Sequence, residues 1–321
     1  MNFDLISSNG PVKSSAEPAW LKQFEEWRGL LTKCHENPNR KRVHSLRVAT
    51  LRLKAEIDFW LLDKDASGRA DNTAKNWKKQ ANKIRKALGS VRNNDVHIEI
   101  LRKLRAADES SGDESPLIEQ RKREIAKLEH RFRTRRESAK KELLSELDRR
   151  RERLERTSRE LEDEMGLRKA WSNHDRTRLI RGMIAGLASE LKTLNASTMH
   201  EFRKRAKTAR YLADVSARTD PYAKRQALLL KQMLTSVGGW HDLQTLRAEA
   251  QEALGTTDGL AKVLEELERE SFQNALESSR RITPQLLYQG SRNGVSKETT
   301  PPKKPVRRAE ITALKGDRLH A

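Results

Sequence analysis

Two stretches of the chain set a histidine and a run of cations at helical intervals. In MHEFRKRAKTARY (199–211), His200 is followed by Arg203, Lys207 and Arg210; Lys204 and Arg205 lie between them and Glu201 is the single acid. In VHSLRVATLRLK (43–54), His44 is followed by Arg47, Arg52 and Lys54, with no acid at all. At about 100° per residue, His200, Arg203, Lys207, Arg210 and Tyr211 share one stripe, and Phe202, Ala209 and Ala213 lie opposite it. His44, Arg47 and Lys54 take the same stripe upstream, opposite Leu46, Leu53, Ile57 and Trp60. Arg52 falls off that stripe, and Leu51 stands where the later copy has Lys207.

The chemistry offered is anion binding. A guanidinium presents a planar fork matched to two phosphate oxygens, lysine a point charge, and imidazole an N–H donor. Placed three, four or seven residues apart, these donors form a row, and a phosphate chain is a row of anions. Uncompensated like charges one turn apart destabilise a helix, so a duplicated stripe of them needs a reason. The plainest one is pairing with acids on neighbouring helices, for which Asp58, Asp214 and Asp242 are available. A metal centre built from His44, His97, His200 and His241 is disfavoured by the flanking Arg and Lys, which repel a cation, and no carboxylate stands at a spacing that would orient such ligands. Phosphate-ester hydrolysis lacks the usual signatures: there is no Walker A glycine loop and no H-E-x-x-H. The acidic run ELEDE (160–164) would point its carboxylates around a helix axis rather than at one ion. Asp242, beside His241 and after Gly238-Gly239, is expected to cap or orient backbone there.

Long helices must position these side chains. The chain has 321 residues, with 35% hydrophobic and 35% charged, a combination typical of amphipathic helices. Net charge is +20 and the pI about 10.1, which draws polyanions. Trp20, Phe24, Trp27 and Leu31 recur at helical steps, and Asn37-Pro38 ends that helix. Asn39 is placed to cap the next helix, which runs through Trp60 to Asp63. Residues 65–72 read as a turn, a helix carrying Trp77, Ile84 and Leu88 meets Gly89, and another follows through Val96 and Leu104. Residues 117–165 lack Pro and Gly. Ile118, Ile125, Phe132 and Ala139 fall seven apart, then Leu147, Leu154 and Leu161 in a shifted frame, as in one long arm or a helical hairpin. Helical patterning resumes over 175–195, 198–217, 221–236, 239–254 and 259–281. No strand pattern occurs, so the fold class is all-α. Residues 1–17 read as a flexible arm and 284–321, rich in Pro, Lys, Arg, Ser and Thr, as a disordered basic tail. The single cysteine, Cys34, allows no internal disulfide, and no stretch approaches eighteen consecutive apolar residues. With no signal-peptide pattern at the N-terminus, a soluble cytoplasmic protein without membrane insertion is the expectation.

The stripes belong to an internal repeat. KIRKALGSVRNNDV (83–96) parallels LKQMLTSVGGWHDLQT (230–245), matching Gly89 with Gly238, Arg92 with His241 and Asn93 with Asp242. Copies this far apart suggest two helical bundles related by a pseudo-two-fold axis. The pairing of H-x-x-R-V-A-x-x-R-x-K with H-x-x-R-x-x-x-K-x-x-R-Y, each followed by an L-G-x-x-R/H-D-like turn, resembles the CHAD family, the conserved histidine α-helical domain. The resemblance spans about residues 20–283. It implies a stand-alone domain over 18–283, with repeats at about 18–110 and 172–283 joined by the 117–165 arm. It further implies two four-helix bundles with long helices around a basic cleft that binds inorganic polyphosphate, with no catalysis, no cofactor and no metal. Carried over residue by residue, it implicates His44, Arg47, Arg52, Lys54, Arg85, Arg92, His200, Arg203, Lys207, Arg210, Lys231 and His241 as phosphate contacts. Leu51, Asn93 and Thr208-Ala209 depart from the family pattern, so the first copy is expected to grip less strongly. Localisation to polyphosphate granules follows from the same resemblance. A sequence-blind nucleic-acid binder is the alternative, although no aromatic platform accompanies the cations; a phosphate-ester hydrolase ranks below both. The heptads permit a homodimer.

Overall fold

Apolar residues recurring at helical spacing set which faces the helices bury. The computed structural model describes residues 19–62, 68–166, 173–255 and 259–288. Within them the chain forms α1 (Ala19–Glu36), α2 (Arg40–Trp60), α3 (Gly68–Ser111), α4 (Pro116–Gly166), α5 (Asn173–Glu190), a 3-10 turn (Leu191–Thr193), α6 (Met199–Ser216), α7 (Pro221–Leu254) and α8 (Leu260–Leu287). No strand occurs among the described residues. The arm at 1–17, residues 65–67 of the expected turn and the basic tail beyond Tyr288 lie outside them, while residues 68–72, read from the sequence as part of that turn, are the first residues of α3.

Local chemistry sets several ends. The Asn39 side chain accepts the Arg42 N–H at 3.0 Å and starts α2. Asp220 caps α7 by accepting the Tyr222 N–H at 2.8 Å, with Pro221 at the first helical position. Gly255 ends α7 at φ 78°, a conformation a side chain would disfavour.

Three breaks expected from the sequence do not occur. Gly89 lies inside α3, and Gly238-Gly239 lie inside α7. An interior glycine costs a helix roughly 1 kcal/mol relative to alanine, and the neighbours outweigh it: Leu88, Val91, Val237 and Trp240 are buried in the two cores. The L-G-x-x-R/H-D segments are thus helix rather than turn. Helix α8 likewise runs through Pro284 to Leu287, held by the buried Ile282, Thr283 and Leu286 on its packed face. The long arm is one helix, α4, not a hairpin, and its heptad positions from Ile118 to Leu161 are buried.

Two cores each draw on four helices. The first joins Phe24, Trp27 and Leu31 of α1 to Leu46, Leu53 and Ile57 of α2, Trp77 and Ile84 of α3, and Leu147 and Leu154 of α4. The second joins Ile180 and Ile184 of α5 to Phe202 and Ala209 of α6, Met233 and Trp240 of α7, and Ala275 and Ile282 of α8. A third cluster forms where the remaining halves of α3, α4, α7 and α8 meet around Leu101, Phe132, Leu246 and Leu264. Contact between the first four helices and the last four also runs through α2 against α6. There Phe59 of α2 enters the second core, and Arg176 of α5 grips the buried Glu56 with two hydrogen bonds, at 2.8 and 3.0 Å. The α2–α6 crossing brings the two stripes face to face.

Candidate anion-binding site

At that crossing the apolar sides of α2 and α6 turn into their own cores, which leaves the cationic stripes at the seam. Arg47 of α2 is flanked electrostatically by Arg85 and Arg92 of α3 and by Arg203 of α6. Lys207 is flanked by Arg203 and Arg210 on its own helix, by Arg47 across the seam and by Asp242 of α7. His44 faces Arg92, Arg47 and Arg210. The rings of His200 and His241 lie 5.3 Å apart, centroid to centroid. Eight of the sequence-predicted residues, His44, Arg47, Arg92, His200, Arg203, Lys207, Arg210 and His241, thus meet in one cluster drawn from four helices.

Arg47 packs beside Gly89 of α3, and its guanidinium Nη1 donates to the Arg85 carbonyl oxygen at 3.2 Å. Arg85 itself stands beside Arg47 and donates from Nε to the Asn82 side chain at 3.2 Å.

The remaining predicted contacts stand apart. Arg52 is 3.4 Å from Asp214, which also lies 3.6 Å from Arg210 Nε. Lys54 pairs with Asp58, one turn along α2, and Lys78 of α3 binds the other oxygen of that carboxylate at 2.9 Å. Lys231 is exposed on α7, and its side chain has no hydrogen bond or ion pair among the described residues.

Charge at the cluster is largely uncompensated. No ion pair holds Arg47, Arg92, Arg203 or Lys207 among the described residues. Asp242 is the one carboxylate near three of them, and it is mid-helix rather than a backbone cap. Burial raises its pKa even though Arg92 and Arg203 pull the other way. Burial, then the neighbouring guanidinium charges, holds the Lys207 amine down to about 7. Burial, then Arg203 and His200, holds His241 down to about 4. His44 keeps an exposed face, yet the protein around its ring, then Arg92 and Arg47, also disfavours its protonation. Arg47, Arg92 and Arg203 are shifted down chiefly by burial, but a guanidinium starts so high that all three stay charged.

Unmet hydrogen-bonding capacity points the same way. Arg203 Nε and His241 Nδ1 are buried without a partner. Each such group costs about 1–3 kcal/mol until something accepts or donates. Half-buried cations with spare donors, converging from several helices, suit an oxyanion with more than one charge. Tyr211, 93% of whose surface is buried, packs its ring 5.6 Å from the Arg210 guanidinium carbon. Among the described residues, no group of three His, Cys, Asp or Glu side chains is gathered closely enough to share a metal ion. His97, considered with the other histidines, is buried on α3 within electrostatic reach of Arg92 and Asp242, with its ring 3.2 Å from the Thr245 hydroxyl and against Phe132. No described helix is long and apolar enough to cross a membrane.

Of the acids available for pairing in the sequence, the particular pairings escaped it. Asp242, expected to cap or orient backbone, instead faces Arg92, Arg203 and Lys207. Asp214 meets Arg52 across 162 positions, a pairing no local spacing signals.

The CHAD domain family model matches residues 19–251. Two solved structures share the fold. PptA from Streptomyces chartreusis is 14% identical with a TM-score of 0.55, covering 84% of this chain and 99% of that one. The CHAD domain from the plant Ricinus communis is also 14% identical, with a TM-score of 0.56, covering 83% of this chain and 89% of that one. At such identity these likenesses speak for the fold alone. No curated protein matches the sequence.

Proposed function

The chain belongs to the CHAD family, and from that premise we propose that it binds inorganic polyphosphate without turning it over, through the cluster at the α2–α6 seam. The observation that carries the proposal is the set Arg47, Arg92, Arg203 and Lys207, brought from three helices with no ion-pairing carboxylate. In this reading the binding unit spans about 18–283, the α4 arm braces both halves, and binding polyphosphate carries the protein to polyphosphate granules. The folding cost of gathering these cations is offset when phosphate oxygens accept their free N–H groups. His200 and His241 act as donors at the rim, and Asp242 keeps the cluster from flying apart while the ligand is away.

The test is a competition titration. Protein bound to labelled long-chain polyphosphate at near-physiological salt is challenged with unlabelled polyphosphate, single-stranded and double-stranded nucleic acid, matched by phosphate. Polyphosphate is expected to displace the label at far lower concentration. Equal displacement by nucleic acid would mean a generic polyanion surface and would refute the assignment. Incubation of the same complex with a panel of divalent metals is expected to release no orthophosphate.

A further inference from the structure

Arginine and lysine differ in one respect that matters at this seam: a guanidinium cannot shed its proton in a protein, whereas an amine can. Lys207 is the one amine within the unpaired part of the cluster. Arg203 and Arg210 face it from α6, Arg47 from α2, and His241 and Asp242 from α7. Arg92 of α3 acts on the same Asp242. Helix α5 meets α6 on its other side, where Glu190 pairs with Arg205 at 2.6 Å. Lys54, the other amine in the two stripes, is tied to Asp58 and so has its own counter-charge.

We propose that anion binding at this cluster is coupled to proton uptake at Lys207, so that the site grips a phosphate chain more tightly as pH falls and releases it as pH rises. The inference rests on the polyphosphate reading above and adds its regulation. With the site empty, repulsion among fixed guanidinium charges is relieved at Lys207, the one amine set among them. When phosphate oxygens arrive, the local potential turns negative, the amine takes a proton from the buffer, and an ammonium–phosphate contact forms.

The sign follows from the empty-site value of about 7, pushed down by burial and by Arg203 and Arg47. A bound anion raises that value. Below pH 7 the ammonium is already present and binding takes up no proton there. Between 7 and the raised value, binding must draw a proton from solution and weakens with each step in pH. A lysine with a pKa of 7 is only about 3% protonated at pH 8.5, so affinity should fall roughly 30-fold between pH 6 and 8.5.

Titration calorimetry tests this with long-chain polyphosphate, whose internal phosphates do not titrate in this range. At pH 8, heats measured in buffers of different ionisation enthalpy should report uptake of about one proton per site. Lys207→Arg, with a charge that cannot leave, should show no uptake at that pH and an affinity nearly flat from pH 6 to 8.5. Wild-type binding without proton uptake would overturn the inference and leave the polyphosphate reading intact, as would the same uptake in the arginine variant. Absence of polyphosphate binding at every pH would instead overturn the reading itself and the inference with it. The wild-type measurement decides the matter even if the variant does not fold.

Discussion

Helices α2 and α6 carry the same pattern of histidine and cations and meet at one seam, yet they treat their charge differently. On α2, Arg52 is committed to Asp214 and Lys54 to Asp58, and Leu51 fills the place that α6 gives to a lysine. On α6, Arg203 and Lys207 have no carboxylate at ion-pairing distance among the described residues, and Arg210 shares Asp214 with Arg52. The pairing expected for cations on packed helices therefore holds for Arg52 and Lys54 of α2 and fails for the core of the α6 stripe. A charge pattern duplicated in sequence is not duplicated in its ion pairing. In the proposed reading, what separates binding cations from structural ones is whether an acid, from the same helix or another, already pairs with them.

The comparison can be broken most forcefully by reversing charge in each stripe. Arg203→Glu with Lys207→Glu should weaken polyphosphate binding by more than about 100-fold, since two charge-assisted contacts of about 1.5–3 kcal/mol each are lost and replaced by repulsion. Arg52→Glu with Lys54→Glu should cost less than about 10-fold, because those charges are already spoken for. Fluorescence anisotropy with labelled polyphosphate gives both values, and circular dichroism should stay helical in each. Equal losses would erase the distinction between the stripes.

The next largest effect runs in the opposite direction. Asp214→Asn releases Arg52 and Arg210 together and should tighten binding by about 3- to 10-fold, with a lower melting temperature from the lost ion pairs. Unchanged affinity would mean that Arg210 already reaches the ligand despite Asp214. The smallest effect is expected from Leu51→Lys, which gives α2 the missing cation. It should tighten binding by about 2- to 3-fold and steepen its salt dependence, as each added phosphate contact does.

Much of this was legible in the chain. The helical wheel separated cationic from core faces on both helices, and Phe202, Ala209, Leu46 and Leu53 are indeed buried. Asn39 capped where a short polar side chain before a periodic run should cap. The heptads of α4 read true because every one of those positions packs. Helix ends at Gly89 and Gly238-Gly239 were misread for a single reason: local glycine cost is small beside tertiary burial on both sides. Gly89 lies against Arg47 inside a packed helix, and spacing alone cannot distinguish that from a turn. The site was half legible. The sequence named Asp58, Asp214 and Asp242 as acids available for pairing, but not which cation each would meet: Asp58 meets Lys54 and Asp214 meets Arg52 and Arg210. Asp242 could be placed among the cations only once α3, α6 and α7 were assembled.

The most direct test is diffraction from crystals grown with a polyphosphate of defined length. The account predicts a chain of phosphate density at the α2–α6 seam, with oxygens on Arg47, Arg203 and Lys207 and none on the Lys54–Asp58 pair. Phosphate lying along another surface, such as the exposed arginines of α4, with the seam bare, would contradict it.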